Sequence, residues 1–282
     1  MAGHTVPRVF AHLDVDLVGL YLDLDGTFPN HQPNPLEPAN LVAIQEAVRK
    51  TGADLGIAFD GDADRAFVID ETGAVVSPSA VTAMIAAGEL AAEPGATIIV
   101  NTITSSAVRE IVAELGGQVV VSKVGHTYMK AEMAAHNAVF GGEHSAHYYF
   151  RDFFGADTGM LAALFVLAAV RAADQPLSHL TRQYTRYAES GEINLEVADV
   201  QAAMDLVASR LGWVTRTVPV STGTVTTGTV TWDDGLMITG DNWWVSLRPS
   251  NTEPLLRLNV EARDAALMAR LRDDVLNLLK EE

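Results

Sequence analysis

The chain has 282 residues, 48% of them hydrophobic, with 36 acidic against 19 basic side chains and a formal charge of −17. That charge, with no cluster of Lys and Arg, argues against a nucleic-acid partner, whose phosphates need concentrated positive charge. The absence of cysteine excludes disulfides, thiolate nucleophiles and cysteine-based zinc sites.

The apolar content separates the sequence from disordered chains, and its length suits two or three domains of ~100–150 residues. The longest uncharged apolar stretch, 159–170, falls short of the ~20 residues a bilayer span needs. The N-terminus shows no basic segment leading into an apolar one. A cytoplasmic protein with no membrane partner is the expectation.

In chain order, a helical pattern covers Val6–Leu13, where a doubly wound domain would open on a strand, so the first α/β domain reads as incomplete. An apolar run at 15–21 leads into Leu22-Asp23-Leu24-Asp25-Gly26-Thr27 and a proline-rich loop at 29–35. A helix is expected over Pro38–Lys50, then strands over Asp54–Phe59 and Ala66–Asp70 and a turn near Gly73. Helices at 79–91, 105–115 and 159–172 alternate with strands at 97–101, 118–122 and 138–142. Such alternation predicts α/β layers with largely parallel sheets. After Gly191 the pattern becomes α+β: a helix at 198–211, Thr/Val-rich strands through 218–232, a hairpin at 235–241, strands at 243–248 and 254–262, and a last helix from Asp264. Domains are placed at 1–76, 77–190 and 191–282, and no internal repeat is visible.

Four constellations carry chemistry. Asp60-Gly61-Asp62-Ala63-Asp64-Arg65 lies between two strands, and carboxylates at alternate positions of a glycine-containing loop can converge on a hard cation such as Mg²⁺ or Mn²⁺. An EF-hand would need glycine and glutamate where Arg65 and Glu71 stand. Gly142-Glu143-His144-Ser145-Ala146-His147 follows a strand, and Glu143, Ser145 and His147 are expected to project together from an extended loop, suited to paired sugar hydroxyls. A hydrolase reading lacks the G-x-S-x-G elbow, and a zinc reading lacks further ligands. Arg248-Pro249-Ser250-Asn251-Thr252-Glu253-Pro254, with Arg257 on the next strand, makes an anion-binding loop. Gly125-His126, at a helix start, offers a weaker anion site.

In this order the loops make the chain resemble the α-D-phosphohexomutase family, most closely its bacterial phosphomannomutase/phosphoglucomutase branch, over essentially all 282 residues. The resemblance implies two α/β domains, the first incomplete, followed by a TATA-box-binding-protein-like α+β domain. It implies Mg²⁺ on Asp60, Asp62 and Asp64, with Arg65 and His126 beside the transferring phosphoryl group. Glu143, Ser145 and His147 would hold the sugar. Arg248, Ser250, Asn251, Thr252 and Arg257 would grip the phosphate that is not transferred. The implied partner is a hexose phosphate (mannose or glucose 1- or 6-phosphate), and the implied reaction is phosphoryl transfer between C1 and C6 through a bisphosphate, with hexose 1,6-bisphosphate as activator.

Two departures stand out. The family's phosphoserine donor sits in a T-x-S-H-N-P-like loop, and no such segment occurs here, so an N-terminal donor domain is expected in cis or in trans. Many relatives carry a cleft lysine in the stretch matching 100–106, and this chain has none. Two other readings compete: a phosphosugar-binding module without catalysis, and a haloacid-dehalogenase-type phosphatase using Asp23 as nucleophile. The phosphatase reading needs that motif on a first strand.

Overall fold

A computed structural model of the chain describes residues 1–211, 219–220, 223–224, 229–250 and 255–280. Its contacts divide at Thr185 into two units, each described here by itself.

The first unit opens with α1 (Ala2–Phe10), four residues earlier than the hydrophobic pattern predicts. Residues 11–37 then run without helix or strand. The apolar run at 15–21 thus forms no strand ahead of 22–27, and Asp25 accepts from the Thr27 amide and hydroxyl in a local turn. Asp23 lies exposed in this irregular segment, without the strand a phosphatase nucleophile requires. Leu17, Val18, Tyr21 and Leu24 are exposed here too, around an open cavity of about 2220 Å³ bounded by α1 and the elements that follow.

A 3-10 turn at Pro38–Leu41 leads into α2 (Val42–Thr51), which stops at the left-handed Gly52. β1 (Leu55–Phe59) and β2 (Ala66–Asp70) form an antiparallel hairpin whose loop carries the aspartates. α3 (Pro78–Ala92), capped by the Ser77 hydroxyl, is apolar on nearly every side and is buried from Ser79 to Ala86. The remaining elements are β3 (Thr97–Asn101), α4 (Ser106–Glu114), β4 (Gln118–Ser122), α5 (His126–Ala135), β5 (Phe140–Gly142), β6 (Tyr148–Phe150), β7 (Ala156–Asp157), α6 (Gly159–Ala173) and α7 (Leu177–Thr181).

The sheet runs β4-β3-β5-β6-β7. Only β3 with β4 and β3 with β5 are parallel; β5, β6 and β7 run antiparallel, so the sheet is mixed rather than largely parallel. The cause is local. The segment 143–147 is a tight turn that sends the chain straight back along β5, where a parallel neighbour would need a helical crossover.

The second unit is α+β, with two short strands ahead of the expected helix and the expected strand run 218–232 lying partly outside the described residues: β8 (Ala188–Glu189), β9 (Ile193–Leu195), α8 (Val200–Leu211), β10 (Pro219–Val220), β11 (Gly223–Thr224), β12 (Thr229–Thr231), β13 (Leu236–Gly240), β14 (Trp243–Pro249), β15 (Leu256–Ala262) and α9 (Ala265–Lys280). Its main sheet is β12-β13-β14-β15-β8, with β9 also on β15. Inward residues of β13, β14 and β15, such as Ile238, Val245 and Leu258, pack with Val207 of α8 and Leu271 and Val275 of α9.

Gly142 is the point where β5 touches α3. A Cβ there would run into the Thr82 side chain. G142A is expected to cost about 1–3 kcal/mol of stability by overpacking, read as a lower denaturant midpoint with unchanged slope. An unchanged midpoint would mean that α3 yields freely at this contact.

Candidate active site

The loop between β1 and β2 gathers ligand oxygens of Asp60, Asp62 and Asp64 within 4.8 Å of one another. Asp60 is buried and already engaged: the Arg65 Nε donates to its Oδ2 at 2.6 Å and the Arg65 amide to its Oδ1 at 3.2 Å. Arg65 therefore clamps the first carboxylate from the end of its own loop, and its Nη1 reaches Asn34 at 3.5 Å. Asp62 is exposed. The Asp64 Oδ1 is buried and accepts no hydrogen bond among the described residues. Burial, with Asp60 and Asp62 nearby, pushes the Asp64 carboxyl up to about 7. An all-oxygen donor set with one orphaned buried oxygen fits a hard divalent cation.

Against this loop stands the turn at 143–147. It is not the extended loop that the alternating spacing suggests. Ala146 adopts a left-handed φ of 65°, its amide bonds the Glu143 carbonyl at 3.1 Å, and the Glu143 amide bonds the His147 carbonyl at 3.0 Å. The tight turn still brings the three side chains together. Ser145 Oγ lies 2.9 Å from His147 Nδ1, and that nitrogen lies 3.7 Å from Glu143 Oε2. Glu143 is 2% exposed, and its oxygens accept from Asn101 Nδ2 (3.2 Å), the Gly125 amide (3.2 Å) and the Tyr149 hydroxyl (2.8 Å).

The two loops meet. Arg65 and His147 form an antiparallel backbone bridge, the Ala66 amide donates to the Ala146 carbonyl, and His147 Nε2 lies 3.6 Å from Asp64 Oδ1. The start of α6 locks the pair from below, with the Gly159 amide donating to the Ala63 carbonyl at 3.3 Å. A Cβ at Gly159 would stand 2.5 Å from the Arg65 carbonyl oxygen, so only glycine allows this approach.

His126 stands at the first turn of α5, beyond Gly125 at φ 130°. Its ring packs edge-on against His147 with centroids 4.4 Å apart. Its Nδ1 donates to Asp157 Oδ2 at 3.2 Å, and this bond raises the His126 pKa. Burial alone would raise the Asp157 carboxyl, but His126 and Lys130, whose Nζ is 3.0 Å away, hold it below the usual carboxylate range.

In the second unit Arg248 and Arg257 are cross-strand partners on β14 and β15. Glu192 lies between their charges, 3.9 Å from the Arg248 guanidinium and 3.3 Å from that of Arg257. Ser250 closes the end of β14 with its amide on the Leu255 carbonyl. Asn251 and Thr252 lie outside the described residues.

Three models of one family follow one another along the sequence: phosphoglucomutase/phosphomannomutase alpha/beta/alpha domain II over residues 1–73, domain III over 78–187 and the C-terminal domain over 192–278. The chain belongs to the phosphoglucomutase/phosphomannomutase family. A "Phosphohexose mutases" protein of Xanthomonas campestris pv. campestris is 38% identical over 281 residues, 99% of this chain and 60% of its own length. A phosphomannomutase of Escherichia coli K12 is 39% identical over 269 residues, 95% of this chain and 56% of its own length. The crystal structure of a phosphoglucomutase/phosphomannomutase family protein from Burkholderia thailandensis superposes with a TM-score of 0.83 at 30% identity, over 99% of this chain and 58% of that one. The chain thus spans about 60% of the length of the curated relatives it matches.

Sequence reasoning missed Asp157, Tyr149, Asn101 and Glu192. Asp157 and Tyr149 belong to the antiparallel return of β6 and β7, which a parallel-sheet expectation does not draw. Asn101 ends β3, and only the β3–β5 pairing brings it to Glu143.

Burial keeps His147 neutral down to about 4, against an ordinary value of ~6.5. Between those values the unfolded chain binds a proton that the folded chain refuses, so stability is lost as pH falls through this window. Asp64 contributes with the opposite sign, since its raised folded pKa favours the folded state as pH falls, but it does so with and without His147. The stability difference between native chain and H147Q is therefore expected to shrink by about 1–3 kcal/mol from pH 7 to pH 4, measured by urea unfolding. A difference independent of pH would show that His147 charges freely in the fold.

Proposed function

We propose that this chain carries the cation, sugar and phosphate loops of a phosphohexomutase, which moves a phosphoryl group between C1 and C6 of mannose or glucose phosphate through a bisphosphate. The observation that carries the reading is the junction of the aspartate loop with the Glu143–His147 turn at Arg65, inside one unit. The family assignment and the names of the relatives, phosphomannomutase among them, support it.

Asp60, Asp62 and Asp64 would hold Mg²⁺, which when bound neutralises charge on the transferring phosphoryl group. Arg65, fixed by Asp60 through Nε, would offer guanidinium donors to the same charge. Ser145 and His147 line the edge of the turn where sugar hydroxyls would lie, with Glu143 behind them. His126 holds its Nδ1 proton against Asp157 and presents a second ring nitrogen for proton exchange. In the second unit, Arg248 and Arg257, which stand directly opposite with Glu192 between their charges, would give a phosphate charge-assisted hydrogen bonds, with Ser250, Asn251 and Thr252 completing the grip.

No serine of these 282 residues lies in a donor-loop context, so the phosphoserine would come from a domain outside them, in cis or in trans. A coupled assay for conversion of mannose 1-phosphate to mannose 6-phosphate, with a hexose 1,6-bisphosphate activator, tests this. No turnover is expected from the 282 residues alone, and turnover is expected once a donor domain is supplied. Turnover without it would overturn the need for an outside donor.

Two further outcomes follow from the loops. Mg²⁺ at ten times its Kd at pH 8 is expected to stabilise the native chain by about 1.4 kcal/mol there, and the same concentration to stabilise it less at pH 5.5 because protons compete for Asp64. D62N should abolish the effect, and a cation-dependent melting shift that survives in D62N would exclude the aspartate loop as the cation site. In an NMR titration with glucose 1-phosphate, R248A should weaken binding about tenfold or more, and E143Q less, because a phosphate loses charge-assisted bonds. Equal losses would remove the phosphate role from Arg248.

A further inference from the structure

Tyr149 lies two residues beyond the sugar turn, its ring fully buried with Ile99, Met129, Met133 and Ala138. For that packing alone phenylalanine would serve. The neighbouring Tyr148 shows what an idle hydroxyl looks like here: it is equally buried and its oxygen meets no hydrogen-bond partner among the described residues. The Tyr149 hydroxyl instead emerges between two groups of the candidate site, 2.8 Å from Glu143 Oε2 and 3.1 Å from His126 Nδ1.

The donor count fixes the direction of both bonds. A tyrosine hydroxyl has one proton, and a carboxylate can only accept. Glu143 Oε1 already takes two N–H donors, from Asn101 and Gly125. The Tyr149 proton therefore goes to Oε2, and a lone pair of its oxygen is left facing His126 Nδ1. The second neighbour of that nitrogen, Asp157 Oδ2, is also an acceptor. Two acceptors on one ring nitrogen require a proton on it whether the ring is neutral or charged. Nε2 is then the only nitrogen of His126 that can gain or lose a proton.

We propose that Tyr149 is a positioning residue for His126: its hydroxyl, oriented by Glu143, holds the imidazole as the Nδ1–H tautomer and leaves Nε2 to exchange a proton with a sugar hydroxyl. The sugar hydroxyl rests on the function proposed above, whereas the tautomer does not. Glu143 thereby gains a second task. Through one bond to the Gly125 amide and another through Tyr149, it fixes both the backbone at the N-cap of α5 and the ring of His126, which begins the helix. Lys130 supports the same arrangement by holding Asp157 and lying 5.9 Å over the Tyr149 ring.

The test is long-range ¹H–¹⁵N spectroscopy of the 282-residue chain labelled at histidine, at a pH high enough to leave His126 neutral, with its signals assigned by their loss in H126Q. The native ring is expected to carry its proton on Nδ1. In Y149F, which keeps the ring packing, the tautomer ratio should move about fivefold toward Nε2–H, the ratio one net hydrogen bond sustains, in a chain that still folds but melts lower because Glu143 Oε2 loses its donor. A native ring protonated on Nε2 overturns the proposal whatever the variant does, as does a Y149F ratio equal to native. Adding glucose 1-phosphate to the same native sample separates the two claims. Absence of sugar binding with the Nδ1–H tautomer intact counts against the proposed function alone.

Discussion

Two short backbone bridges hold the candidate site together. The Ala63 carbonyl takes the Gly159 amide, and the Ala146 carbonyl takes the Ala66 amide, each at 3.3 Å. Both acceptors belong to alanines in the left-handed region, at φ 66° and 65°. An L-residue there costs roughly 1–2 kcal/mol, so each loop spends backbone strain to turn a carbonyl across the seam. Gly159 makes the approach possible by having no side chain. Asp64 meets His147, and Arg65 pairs with it, only because this seam is closed.

Charge is the second constraint. Asp60, Asp62, Asp64, Glu143 and Asp157 crowd around Arg65, Lys130 and two imidazoles, in a chain whose formal charge is already −17. The fold offsets the repulsion carboxylate by carboxylate. Arg65 takes Asp60, Lys130 and His126 take Asp157, and three neutral donors take Glu143. Asp64 alone keeps a buried oxygen with no donor among the described residues, and its raised pKa is the electrostatic signature of that exception.

Much of this was legible in the sequence, for identifiable reasons. β2, β3 and β4 match their expected bounds because each is a short apolar run ended by turn residues. The aspartates, Arg65 and the 143–147 segment were readable because their chemistry is compressed into contiguous loops. What stayed hidden depends on pairing across distance. Tyr149 and Asp157 look like ordinary strand residues until the antiparallel return of β6 and β7 brings them back, and Glu192 acquires meaning only when β14 and β15 place two arginines face to face. The irregular course of 11–37 was also unreadable, since an apolar run such as 15–21 reads as a strand whether or not it finds a neighbour to pair with. The turn at 143–147 misled for a different reason: alternation implies extension, and a left-handed alanine leaves no mark in composition.

The aspartate loop sits on a hairpin whose strands, Leu55–Phe59 and Ala66–Asp70, are adjacent in sequence, so closing it orders a short stretch of chain. The seam joins Ala66 to Ala146, closing a loop of about 80 residues, and the entropy lost grows with the logarithm of that length. The hairpin and the junction therefore belong to different levels of cooperativity. The carboxylates can be aligned with one another well before His147 arrives, and local opening can part the seam while the hairpin stays paired. Amide exchange at Ala66 would thus report assembly of the site, whereas exchange at Phe67, whose amide alternates to the β1 side of the hairpin, would report only that its scaffold exists.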